Sequence, residues 1–114
     1  MSHHDDQGRL ADMLSHAAEA LEMARGRTRQ DLDRDRQLNL SLVRLLEIVG
    51  EAASRVTPAT RERHPAIPWV AITGMRHRLV HGYDEVDFDI LWDVIAHDLA
   101  PLVGKLRSSL GQRG

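Results

Sequence analysis

Residues 38–53, with the sequence LNLSLVRLLEIVGEAA, decide the fold class of this chain. Apolar residues recur in this stretch every three or four positions, which places them on one side of an α-helix. Leu40, Val43 and Ile48 widen that side until the helix is apolar over much of its circumference. Because such a helix is buried among other elements, we predict that it forms the centre of a helical domain.

Gly50 lies inside this central helix. A glycine in a helix interior costs up to about 1 kcal/mol relative to alanine, so something benefits from the missing side chain. The ordinary reason is the close approach of a neighbouring helix. We therefore expect another helix to pack against the chain at this residue.

A first amphipathic helix is predicted before the central one. Residues 5–24 carry apolar side chains at a spacing of three and four, as the inner face of such a helix requires. Gly26 and the charged run over residues 27–36 then interrupt the pattern. Either a connection or a frayed start of the central helix would give this sequence.

Prolines and a glycine mark the elements that follow the central helix. Thr57 and Pro58 form an N-cap and first-turn signature, which opens a short helix that must end before Pro65. A further helix is predicted to start at Pro68 and to end near residue 81. Gly82 would supply the left-handed residue that commonly closes a helix.

The last predicted helix completes an all-α fold. Asp87 is placed to cap it, and Pro101 inside it predicts a kink or a break. No segment has the period-two pattern of a strand, and the connections are short. We predict one domain over residues 1–114, an antiparallel bundle of four to five helices whose ends fray at about residues 1–4 and 108–114.

Composition excludes several classes of protein. The 114 residues contain no cysteine, so neither a disulfide framework nor a thiolate metal site can form. The net charge of −2 argues against nucleic-acid binding by bulk electrostatics. No stretch approaches the roughly 20 apolar residues that cross a bilayer, and the polar start does not resemble a secretion signal, so we expect a cytoplasmic protein without membrane contact.

The stretch with the densest functional side chains is GMRHRLVHGYD, residues 74–84. Arg76 and His81 are five positions apart, which in a straight helix means about 7.5 Å of rise and roughly 140° of rotation. One helix would therefore place them on different faces. Either the long arginine side chain reaches around the helix, or a twofold dimer brings two copies of this segment together across a groove.

These residue types suit RNA cleavage by the 2′-hydroxyl group. A histidine can take or give a proton near neutral pH, which makes His81 a candidate general acid or base. The guanidinium of Arg76 can hold a phosphate and offset the charge on its oxygens in the transition state. This chemistry needs no metal.

Other roles for the same residues remain open at this point. An arginine or histidine near a helix end often interacts with the helix dipole or caps a carbonyl group. His77 and His81, four positions apart, could form a metal-binding pair on one helix face, although no third ligand is signalled nearby. Tyr83 could be an interface residue whose hydroxyl group finds a hydrogen-bond partner.

The sequence resembles the HepT-like toxin group of HEPN-domain proteins. Arg76, four intervening residues, His81, Gly82 and Tyr83 match the Arg-x4-His-x-Tyr motif of that group. The segments IVGEA at 48–52 and IPWVAITGM at 67–75 are also similar, as is the final helix. The resemblance covers the chain from about residue 5 to residue 106.

This resemblance implies a homodimer in which Arg76 and His81 of the two subunits form a metal-independent ribonuclease site without a cofactor. The group's partner is a minimal nucleotidyltransferase antitoxin, which transfers adenylate from ATP to the motif tyrosine, here Tyr83. His77 stands where the group often has asparagine or aspartate, and as a supporting residue it either assists catalysis or only hydrogen-bonds locally. The alternative is a noncatalytic HEPN dimer that binds nucleotide or the nucleotidyltransferase.

Overall fold

The structure, a computed structural model, describes residues 3–82 and 85–111 and is almost entirely helical. Its elements, in chain order, are α1 (His3–Met23), α2 (Asp31–Arg34), α3 (Arg36–Ser54), α4 (Pro58–Arg63), α5 (Trp69–Thr73), α6 (Met75–Leu79), β1 (Val80–His81), β2 (Glu85–Val86), α7 (Phe88–Asp93), a π-helical turn (Val94–Asp98) and α8 (Leu99–Ser109). The prediction of an all-α fold is confirmed.

The central helix is α3, as its apolar pattern predicted. It packs along α1 on one side and against α5 and α6 on another, while α8 also packs on α1. The innermost side chains are aliphatic, which agrees with the small number of aromatic residues. Those with almost no exposed surface include Leu10, Met13, Leu42, Leu46, Val49, Leu91, Leu99 and Leu106.

Gly50 is the point where α5 comes closest to α3. A Cβ atom at Gly50 would lie 3.1 Å from the carbonyl oxygen of Ile72, tighter than most Cβ contacts. The helix approach expected from the sequence is therefore present. It fixes α5, and with it α6, against the middle of α3.

The single helix predicted from Pro68 to residue 81 is wrong, because it is broken at Gly74. α5 ends at Thr73 and α6 begins at Met75. The hydroxyl group of Thr73 donates back to the carbonyl oxygen of Trp69 at 3.0 Å, an interaction that bends helices. Gly74 has a backbone conformation of φ −89° and ψ −1°, in which the break is made without strain.

The helix also ends before His81, which lies on a strand. Val80 pairs with Val86, and His81 pairs with Glu85, in an antiparallel ladder of two residues on each side. The amide of Asp87 donates to the carbonyl oxygen of Leu79 at 2.8 Å, so the chain leaves the helix there. Strands this short give no detectable alternation, and for this reason the sequence did not reveal them.

Two predicted helix starts are confirmed. α4 begins with Pro58 after Thr57 and ends at Arg63, before Pro65. The side chain of Asp87 accepts from the amide of Ile90 at 3.1 Å and caps α7. The hydroxyl group of Thr57 makes no cap bond to its own helix, because it donates to the carboxylate of Asp6 in α1.

The irregularity expected at Pro101 lies one turn earlier. α8 continues through Pro101, and the π-helical turn over residues 94–98 comes directly before α8. A proline inside a helix lacks the amide donor and crowds the carbonyl group four residues before it. The widened turn accommodates both effects without breaking the helix. Within the described ranges, no helix is long and apolar enough to span a membrane.

Candidate active site

Arg76 projects from α6 toward the middle of α3. Since Gly50 faces Ile72 and Glu47 contacts Arg76, α3 runs antiparallel to α5 and α6. The Nε atom of Arg76 donates to Oε2 of Glu47 at 2.9 Å. The side chain of Arg76 is 70% exposed, whereas that of Glu47 is 24% exposed. The cation is thus held at one nitrogen and is otherwise open to solvent.

His81 has a different support. Its Nε2 atom lies 3.7 Å from Oδ2 of Asp87, which is too long for a hydrogen bond but close enough for attraction when the ring is charged. The other oxygen of Asp87 caps α7 at the amide of Ile90. Asp87 is therefore fixed by the start of a helix, and the half-exposed imidazole of His81 faces it from β1.

No hydrogen bond or ion pair joins Arg76 to His81 within the described part of the chain. Arg76 is held from α3, and His81 lies beside the first turn of α7. The two residues share one short segment but are supported by different elements.

His77 is exposed on α6. Its amide donates to the carbonyl oxygen of Gly74, and its ring has no hydrogen-bond partner among the residues described. The interpretation of His77 and His81 as a metal pair on one helix face is wrong in its geometry, because His81 lies on β1 after the helix has ended. In the same ranges, no group of three potential metal-ligating side chains is found.

Tyr83, the predicted modification site, lies outside the described residues, as does Asp84. The residue before it, Gly82, has φ +77°, the left-handed conformation that glycine adopts without strain. That conformation was predicted for Gly82 as the end of a helix. It occurs instead directly after β1.

A groove lies beside Arg76. It has a volume of about 410 Å³ and lies between α3 and α5–α6, with Arg44, Glu47, Thr73 and Arg76 among its lining residues. Two large apolar side chains are exposed on the described helices that line this groove, one on α5 and one on α3. Val70, one turn before Thr73, is 87% exposed, and Leu40, one turn before Arg44, is 50% exposed.

The contact between Glu47 and Arg76 was not predicted from the sequence. The apolar pattern of the central helix predicts no contact for this residue. The available signal was that Glu47 is the one acidic residue between positions 38 and 50. A charge inside such an apolar stretch requires a partner or an opening to solvent, and the structure provides both.

Comparison with known proteins gives a consistent result. The family model described as "Ribonuclease HepT-like" matches residues 13–108. The chain is 36% identical over 98 residues to the "Probable ribonuclease HepT" of Thermococcus cleftensis, covering 82% of this chain and 89% of that protein. A "Putative RNase" of Caldanaerobacter subterraneus subsp. tengcongensis is 33% identical over 101 residues, covering 89% of this chain and 90% of the relative.

A further relative, a "Putative RNase" of Methanocaldococcus jannaschii, is 29% identical over 99 residues, which is 87% of this chain and 91% of that protein. No solved structure matches the chain. The family match includes α3 and the whole segment from Arg76 to His81, where the exposed arginine and histidine lie. The chain therefore belongs to the HepT-like ribonuclease family.

Proposed function

We propose that the chain is the toxin of a toxin–antitoxin pair, a cytoplasmic endoribonuclease that cleaves RNA without a metal ion. The observation that carries the proposal is the pair of exposed side chains on the motif segment. Arg76 has its terminal nitrogens open to solvent, and His81 stands beside a fixed carboxylate. Membership in a family of ribonucleases supports the same activity.

The proposed reaction is attack by the 2′-hydroxyl group on the adjacent phosphorus. His81 takes the proton from the 2′-hydroxyl, and Asp87 attracts the positive charge that the ring then carries. The 2′-oxygen bonds to phosphorus, the bond to the 5′-oxygen breaks, and the departing oxygen takes up a proton from a protonated histidine or water. Arg76 offsets the charge on the phosphate oxygens. The products are a 2′,3′-cyclic phosphate and a 5′-hydroxyl end.

The proposed assembly is a homodimer, in which the motif segments of two copies form one site. The exposed side chains of Leu40 and Val70 flank the groove beside Arg76 and supply apolar area for a second copy. A twofold arrangement across this groove would bring two motif segments together. His77, exposed on α6, is placed to assist by contacting RNA or the second copy.

We propose that the ribonuclease activity is regulated by adenylylation of Tyr83, carried out by a minimal nucleotidyltransferase. The tyrosine oxygen would attack the α-phosphorus of ATP, lose its proton and release pyrophosphate. The added phosphate would carry negative charge two residues from His81, where it competes with RNA for Arg76. Coexpression with the nucleotidyltransferase from a neighbouring gene should add one or more adenylates to the peptide containing Tyr83. Full protection of cells that express Tyr83→Phe would contradict this route.

RNA cleavage by the purified protein tests the activity. Arg76→Ala and His81→Ala should each lower the cleavage rate by about 10²-fold or more without loss of helical circular dichroism, and chelator should not affect the wild type. A substrate with a 2′-deoxy nucleotide at the cleaved position should resist cutting. Retained cleavage in His81→Ala, or a requirement for a divalent ion, would refute the mechanism. RNA or nucleotide binding without cleavage would favour the noncatalytic dimer.

A further inference from the structure

We propose that Glu47 is a positioning residue that orients Arg76 for phosphate binding, an inference that rests on the function proposed above. The carboxylate of Glu47 accepts a hydrogen bond from Nε of Arg76 at 2.9 Å. The sequence pattern assigns Glu47 no function, and it lies 29 positions before Arg76 in the chain.

The nitrogen of Arg76 that bonds to Glu47 is Nε and not a terminal nitrogen, which supports a positioning role for Glu47. A guanidinium group has five N–H donors in a fixed plane, one on Nε and four on the two terminal nitrogens. Glu47 engages Nε, and no described residue bonds the terminal nitrogens of Arg76. The edge that remains open is one that can bind two oxygens of a phosphate at once.

The difference in exposure between the two partners supports the same role. Glu47 belongs to α3, the helix with the most buried surroundings, and it is one turn from Gly50, where α5 is fixed against α3. Its side chain is about three-quarters covered, whereas Arg76 is 70% exposed. Glu47 is thus the anchored member of the pair. An unanchored arginine has many rotamers, and their loss would oppose every phosphate contact.

Stabilisation of the fold alone does not account for the ion pair between Glu47 and Arg76. Ion pairs at exposed positions contribute little to folding, because solvent screens them and because two long side chains lose freedom. We therefore expect removal of the Glu47 carboxylate to leave the unfolding temperature nearly unchanged. The opposite functional role, in which Glu47 masks Arg76 and keeps RNA away, predicts faster cleavage when Glu47 is replaced.

The test compares cleavage by the full-length wild-type protein, Glu47→Ala and Glu47→Gln. Single-turnover rates of a fluorescent RNA are measured over a range of enzyme concentrations, which separates the maximal rate from the affinity. Glu47→Ala should lower the maximal rate about tenfold, the cost of restoring rotational freedom to one long side chain. Glu47→Gln keeps an oxygen acceptor for Nε and should retain most of the rate.

Glu51→Ala is the matched control for Glu47→Ala. Glu51 lies one turn further along α3 and lines the same groove, but it pairs with Arg55 at 3.8 Å and does not contact Arg76. Its rate should stay within about twofold of the wild type, as expected for an exposed pair. An equal loss of rate in Glu51→Ala and Glu47→Ala would show that the negative charge of the groove matters and that the contact between Glu47 and Arg76 does not.

The outcomes distinguish this inference from the proposed function. If the wild type does not cut RNA, the proposed function fails. If the wild type cuts and Glu47→Ala cuts equally fast, positioning by Glu47 is refuted while the ribonuclease stands. Faster cleavage by Glu47→Ala would refute it in favour of masking. If both Glu47 variants unfold at a lower temperature, and if their cleavage rates fall in proportion to that loss of stability, Glu47 has a structural role instead.

Discussion

Asp6 provides a quantitative test of how α1 is fastened to α4. Its side chain is almost completely buried, at 1% exposure. One carboxylate oxygen accepts the amide of Thr57 at 3.1 Å, and the other accepts the hydroxyl groups of Thr57 and Thr60. Burial by itself raises the pKa of Asp6, but the bonds from Thr57 and Thr60, with the nearby charge of Arg9, lower it from 3.8 to about 2.

The contribution of Asp6 to the free energy of unfolding follows from the difference between its folded and unfolded pKa values. A group with a lower pKa in the folded state stabilises that state above its unfolded pKa and loses the effect as the pH falls through the folded value. The drop from 3.8 to about 2 corresponds to about 2 kcal/mol at pH 6. About 1 kcal/mol of this contribution should be lost between pH 6 and pH 3, and the remainder below pH 3.

Urea unfolding followed by circular dichroism measures the effect. Asp31 and Asp35 are also held at a lowered pKa, chiefly by backbone amides of Thr28 and Leu38 respectively, so the wild type alone would report several carboxylates. The informative quantity is the difference in free energy of unfolding between wild type and Asp6→Asn, measured at each pH. It isolates Asp6, since the other groups are common to both proteins.

This difference should shrink by about 1 kcal/mol between pH 6 and pH 3. Asp12→Asn is the control, because Asp12 is exposed on the same helix, and its effect should stay within about 0.5 kcal/mol at every pH. A difference between wild type and Asp6→Asn that is the same at pH 6 and pH 3 would refute the reasoning. It would mean that Asp6 is no better stabilised as an anion in the folded state than in the unfolded one.

Three further substitutions test packing and assembly. Gly50→Val should destabilise the fold by about 1–3 kcal/mol in urea unfolding, because its Cβ would crowd the carbonyl oxygen of Ile72. Gly104→Ala in α8, where a Cβ meets nothing within 4 Å, should instead stabilise it by up to about 1 kcal/mol. Val70→Glu should halve the mass measured by light scattering and leave the helical circular dichroism unchanged, since Val70 is already exposed in the single chain. Ala59→Glu, at an exposed position of α4, should change neither the mass nor the circular dichroism.

The sequence was sufficient for the elements that depend on periodicity and strong local signals. The apolar stripe of α3, the proline at the start of α4 and the aspartate that caps α7 each follow from side chains acting within a few residues of themselves. The approach of a helix at Gly50 was also predictable, because a glycine destabilises a buried helix unless a close neighbour packs where the side chain is missing.

The elements that sequence reasoning missed depend on contacts between distant parts of the chain. The helix before His81 was predicted to be continuous because its residues allow it, but the amide of Asp87 draws the carbonyl group of Leu79 into a hairpin. The contact between Glu47 and Arg76 joins two helices whose relative rotation no local pattern specifies. The sequence identified Arg76 and His81 as candidate catalytic residues. It did not identify the carboxylates beside them, Glu47 and Asp87.

These supports change how the motif itself should be understood. Five positions on a straight helix would fix Arg76 and His81 rigidly relative to each other, on different faces. In the structure they have different supports, since Arg76 bonds to Glu47 of α3 and His81 faces Asp87 at the start of α7. Leu79 and Val80 are the link between them, at the point where helix becomes strand. The distance between the two functional groups therefore depends on how α3 and α7 pack as well as on the length of this link.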